Sequence, residues 1–100
     1  MAVIQLQLPP EAKVLGALCD GENVADLDQD MVQIELPGEV VVDVGWYPDH
    51  DPHGEYRLIV FRGNAVEILL EPVLYTREIN KIKRAIARLV RKYGVTKRVD

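Results

Sequence analysis

Both histidines of the chain fall in one decapeptide, YPDHDPHGEY, residues 47–56, beside the carboxylates Asp49, Asp51 and Glu55. Imidazole and carboxylate side by side are the groups of general acid and base work and of metal coordination. His50 and His53, three apart, offer nitrogen donors to a transition metal, and Asp49 or Asp51 would add oxygen. The run DHDPHG also opens like a calcium loop, with glycine at its sixth position. The place of the bidentate glutamate, however, falls on Val60, inside a strand-like run. The same residues have a plainer use, because Asp51-Pro52 and His53-Gly54 are turn dipeptides. A structural loop is the first expectation; a partner contact and a metal-dependent activity are the alternatives, and no metal or cofactor is assigned.

A second catalytic element is hard to find. The chain has no serine, its threonines are Thr76 and Thr96, and its single cysteine, Cys19, is far from the histidines in sequence. A serine nucleophile is excluded, and neither a glycine-rich phosphate loop nor a dinucleotide fingerprint occurs. One cysteine cannot form an intrachain disulfide, and Cys19 reads as a small, partly buried apolar residue. The expectation leans away from an enzyme.

The stronger pattern is basic. Arg77, Lys81, Arg84, Arg88 and Arg91 recur at spacings of four, three, four and three, which on a helix forms one ridge, with Lys92 alongside and Glu78 the sole interruption. The chain is electrically divided: residues 1–76 hold fourteen acidic and three basic residues, residues 77–100 nine basic and two acidic, and the net charge is −4. Such a ridge is either a solvated helix face or a surface for an anionic partner. A protein partner or self-association is the favoured reading, the acidic body of a second copy being one such surface. Nucleic acid or a small anionic nucleotide is the alternative, opposed by the acidic run Asp20, Glu22, Asp26, Asp28 and Asp30. Trp46 and Tyr47, just before the loop, complete the candidates. Trp46 is expected to cap the core and Tyr47 to lean toward the loop, with a partner contact as the sharper reading.

These groups need elements to hold them. MVQIEL, EVVVDVGW, EYRLIVFR and AVEILLEP, starting at residues 31, 39, 55 and 65, are strand-like runs separated by turns, the pattern of an antiparallel meander. Around Pro37-Gly38 the apolar parity pairs Val32 with Val44, Ile34 with Val42 and Leu36 with Val40, which requires a bulge or a three-residue loop. A two-residue Gly63-Asn64 turn sets Phe61 opposite Val66 and Ile59 opposite Ile68; pairing Tyr47 with Tyr56 adds Val42 and Val44 to that core face. Leu58, Val60 and Leu69 then fall on the other side, to be covered by the N-terminal segment or a second copy. After Pro72 the period becomes helical. Ile79, Ile82, Ile86, Leu89, Val90 and Tyr93 share a face, Thr76 is the expected N-cap and Gly94 the stop.

Residues 4–8, IQLQL, alternate like a strand, and the segment after Pro10 is assigned to a short helix lined by Val14, Leu15 and Leu18, with strand and turn as the alternative. The fold expected is α+β: an antiparallel β-meander of four to five strands with a long C-terminal amphipathic helix packed on one face, in one domain over residues 1–100. No apolar run approaches the roughly twenty residues of a membrane helix, and the N-terminus lacks the pattern of a secretion signal. A cytoplasmic, membrane-free protein is therefore expected.

Overall fold

The computed structural model describes residues 6, 8–19, 27–63 and 65–94, without the side chains of 65–68. Among these residues, strands β1 (Lys13–Gly16), β2 (Val32–Leu36), β3 (Val40–Tyr47), β4 (Glu55–Arg62), β5 (Ala65–Leu69) and β6 (Leu74–Thr76) precede one helix, α1 (Ile79–Tyr93). The strands run antiparallel in the order β1-β2-β3-β4-β5, and β6 also pairs with β4. This is the expected α+β meander with its C-terminal helix, which is 15 residues long. No described helix is long and apolar enough to cross a membrane.

The β2–β3 hairpin follows the parity reading: Val32 faces Val44, Ile34 faces Val42 and Leu36 faces Val40. Its loop has three residues, Pro37, Gly38 and Glu39, the last two at φ 78° and 62°. Between β3 and β4 the expected register is one residue off. Trp46, not Tyr47, faces Tyr56, so Val44 pairs with Leu58 and Val42 with Val60. The slip exchanges the two faces of β4. Leu58 and Val60 join Val42, Val44 and Ile82 in the main core, whereas Ile59 and Phe61 form a second cluster with Val41, packed by Val73 on the opposite face.

Aromatic burial accounts for that choice. Trp46 and Tyr56 meet edge to face at 4.9 Å, and the Tyr56 hydroxyl donates to the buried carbonyl of Cys19 at 2.7 Å. Placing either ring on the outer face would expose a large apolar area and strand its polar end. At the other end of β4 the turn pairs Arg62 with Ala65 as expected, but the ladder then shifts, and Phe61 faces Leu69 instead of Val66. Tyr56, Arg57 and Leu58 pair with β6, a strand too short to stand out in the sequence.

The segment after Pro10 is a strand, not a helix. β1 pairs with β2 from Lys13–Glu35 to Gly16–Val32. Gly16 has φ 83°, and a side chain there would press on the Met31 backbone. A single helix through Leu18 cannot include that left-handed residue. The strand expected at 4–8 lies mostly outside the described residues, but Leu6 and Leu8 pack on the helix-side core, as does Leu18. Among the described residues the N-terminal segment thus packs on the core that holds Leu58 and Val60.

Helix α1 packs on β4 and β6. Ile82, Ile86 and Leu89 are buried and Ile79, Val90 and Tyr93 partly so, which is the expected stripe. The start is corrected by two residues: Glu78 is the N-cap, and the Thr76 hydroxyl accepts the Glu78 N–H at 3.0 Å. The chain leaves the helix at Gly94.

Candidate functional site

The 48–54 loop is held by its own polar groups. The Trp46 indole N–H donates to the Asp51 carbonyl at 2.7 Å, and the Asp51 carboxylate accepts the His53 N–H at 2.8 Å. Gly54 donates to the Asp51 carbonyl at 3.0 Å, and Asp51 to that of Pro48 at 3.3 Å. A side chain at Gly54 would sit 2.6 Å from both the indole nitrogen and the Tyr47 carbonyl, so the indole reaches the loop only because this residue is glycine.

Neighbouring segments complete the hold. His50, at φ 57°, donates its N–H to the Leu27 carbonyl at 2.6 Å; its Nε2 lies 2.9 Å from the Asp28 carboxylate and its Nδ1 3.7 Å from that of Asp49. The structure therefore brings His50 together with Asp28 and Asp49, but not with His53. Among the described residues, no three His, Cys, Asp or Glu side chains are grouped to hold a metal ion.

Arg77 belongs to this loop and not to the helix ridge. It precedes α1, and its guanidinium donates to the carbonyls of Pro52 (2.9 Å) and His53 (3.2 Å). Trp46 is 5 % exposed and acts from within, as the loop's anchor. Tyr47 accepts a hydrogen bond from Arg57 at 2.8 Å, and that guanidinium also lies 4.1 Å from the ring centre. Arg57 Nε is buried and without a hydrogen-bond partner among the described residues.

On α1 the ridge divides. Lys81 pairs with Glu78 at 2.9 Å. Arg88 and Lys92 converge on Glu71, at 3.2 and 2.7 Å, and the Tyr93 hydroxyl donates to the same carboxylate at 2.6 Å. With three donors around it, chiefly Lys92 and then Tyr93, the Glu71 carboxyl is lowered from 4.5 to about 2. That carboxylate in turn raises Lys92 and Tyr93 above their ordinary values. Arg84 and Arg91 stand opposite the buried stripe, two turns apart with Ala87 between them and Lys83 at the flank. Among the described residues, Lys83, Arg84 and Arg91 enter no ion pair or side-chain hydrogen bond.

No family model, curated protein or solved structure matches the chain. Six candidates from the sequence, Arg77, Lys81, Arg88, Trp46, Tyr47 and His50, are engaged with other residues of the fold. The sequence reading missed Glu71 as the receiver of Arg88 and Lys92; its lone signal is an acid next to the Pro72 stop. Of the acidic run, Asp28 and Asp30 are exposed, while Asp20, Glu22 and Asp26 lie outside the described residues.

Proposed function

We propose that the protein is a small non-enzymatic cytoplasmic binding protein, and that an acidic segment of a partner protein docks on Arg84, Ala87 and Arg91 with Lys83 beside them. The observation that supports this reading is the contrast along one ridge: Arg88, Lys92 and Lys81 are held by carboxylates, whereas Arg84 and Arg91 are free of them among the described residues. Two arginines rooted about 10 Å apart along the helix, with a small alanine between them, suit carboxylates spaced along an extended or helical segment. Exposed positive charges of this kind raise the association rate of an anionic partner.

A long nucleic acid fits less well, because Asp28, Asp30 and Asp49 are exposed on the same molecule, whose net charge is −4. The test uses fluorescence anisotropy with labelled polyglutamate and a single-stranded oligonucleotide, each at low and high salt. Polyglutamate should bind the native protein, release with salt, and lose its affinity for the Arg84→Glu/Arg91→Glu variant. Equal binding by that variant would remove the proposal, and preference for the oligonucleotide would favour the nucleic-acid reading.

A further inference from the structure

The two edges of the sheet end differently. The far side of β4 is shared by β5 and β6, whereas all four residues of β1 are exposed. Ala17 donates its N–H to the Met31 carbonyl at 3.1 Å, so the Gly16 carbonyl on that same peptide points away from β2. By the alternation of an antiparallel ladder, Lys13 and Leu15 turn their backbone groups to β2, while Val14 and Gly16 turn theirs to solvent. Val14 is 45 % and Leu15 58 % exposed, so this four-residue strand carries two of the large apolar side chains left in water. Among the described residues β1 pairs on one side only, with β2, and such an apolar edge is a template for another strand.

We infer that this edge pairs with the same edge of a second copy, about a two-fold axis at Leu15. An axis perpendicular to the sheet keeps both helix faces on one side, so facing residues must share parity. Centred on Leu15, it makes Val14 and Gly16 exchange backbone hydrogen bonds with the partner's Gly16 and the partner's Val14. The two Leu15 side chains meet as a close, non-hydrogen-bonded pair. The partner's Lys13 falls opposite Ala17, next to the groove of about 420 Å³ lined by Leu15, Gly16, Asp30, Val32 and Gln33. Lys13 has no ion pair among the described residues, and Asp30 is exposed in that groove, so the charges match in both directions. Centring the axis on Val14 instead would bring the partner's Glu11 toward Asp30. Four residues a side make a small interface, which places the dimer in the weak, concentration-dependent class.

Sedimentation equilibrium of the purified chain over a wide concentration range tests this. The mass should rise toward twice 11.3 kDa. Leu15→Lys and Leu15→Glu should each weaken the dimer roughly tenfold, by setting like charges opposite one another, and an equimolar mixture of the two should restore it. Val14→Pro, which removes an outward N–H and no bond within the sheet, should abolish it. Arg84→Glu/Arg91→Glu should leave it unchanged, which separates this dimer from docking on the helix. A chain that stays monomeric, or a mixture that is no tighter than its components, overturns the two-fold.

Discussion

The 48–54 loop and the outer face of α1 are both rich in charged groups, but they spend them differently. In the loop, Asp51, His50 and the distant Arg77 are tied to backbone or to one another. On the helix, Glu71 draws Arg88 and Lys92 to one side and leaves Arg84 and Arg91 opposite the core. Concentration of chemically able residues is therefore a poor guide to a site: a polar loop of this size must satisfy its own backbone before it can bind anything. The informative quantity is which charges remain unspent.

The loop should not tolerate a side chain at Gly54. Gly54→Ala places a methyl group against the Trp46 indole and the Tyr47 carbonyl, and should cost about 2–4 kcal/mol by chemical denaturation. A cost below about 0.5 kcal/mol would mean that the indole does not anchor the loop.

Next in size is the carboxylate that divides the helix ridge. Glu71→Gln should lose about 1–2 kcal/mol at neutral pH, an effect reduced by the exposure of Arg88 and Lys92. Because the folded carboxyl is held near 2 against an ordinary 4.5, its contribution is complete above about 4.5 and is lost as pH falls toward about 2. The difference between native and variant should shrink over that window; a difference constant with pH would assign the loss to packing.

Arg77→Ala should cost about 1 kcal/mol or less, since its bonds to Pro52 and His53 are exposed. Amide exchange should quicken across 48–54 and remain unchanged in α1. Faster exchange along α1 instead would return Arg77 to the helix.

Several of these divisions were legible in the sequence. The helix stripe was, because its apolar residues fall on one face only, and so was the β2–β3 register, where a one-residue slip would put Asp43 and Gln33 opposite valines. The β3–β4 register was not: Leu58, Ile59, Val60 and Phe61 are apolar on both faces, so parity could not choose, and the pairing was decided by the Trp46–Tyr56 contact and the Cys19 carbonyl. β1 was ambiguous because its apolar residues fit a helix as well as an edge strand, and the deciding fact is the left-handed Gly16. Of the candidate site, the sequence showed the ridge but not its division, since Glu71 reaches Arg88 and Lys92 across the fold, over 17 and 21 residues.

The proposed docking surface is the unspent charge on α1, and not the histidine loop. Amide chemical-shift mapping of the native protein during titration with polyglutamate tests it most directly. Shifts confined to Lys83, Arg84, Ala87 and Arg91, and absent in Arg84→Glu/Arg91→Glu, are predicted. Shifts concentrated at Asp49–Gly54 would contradict it.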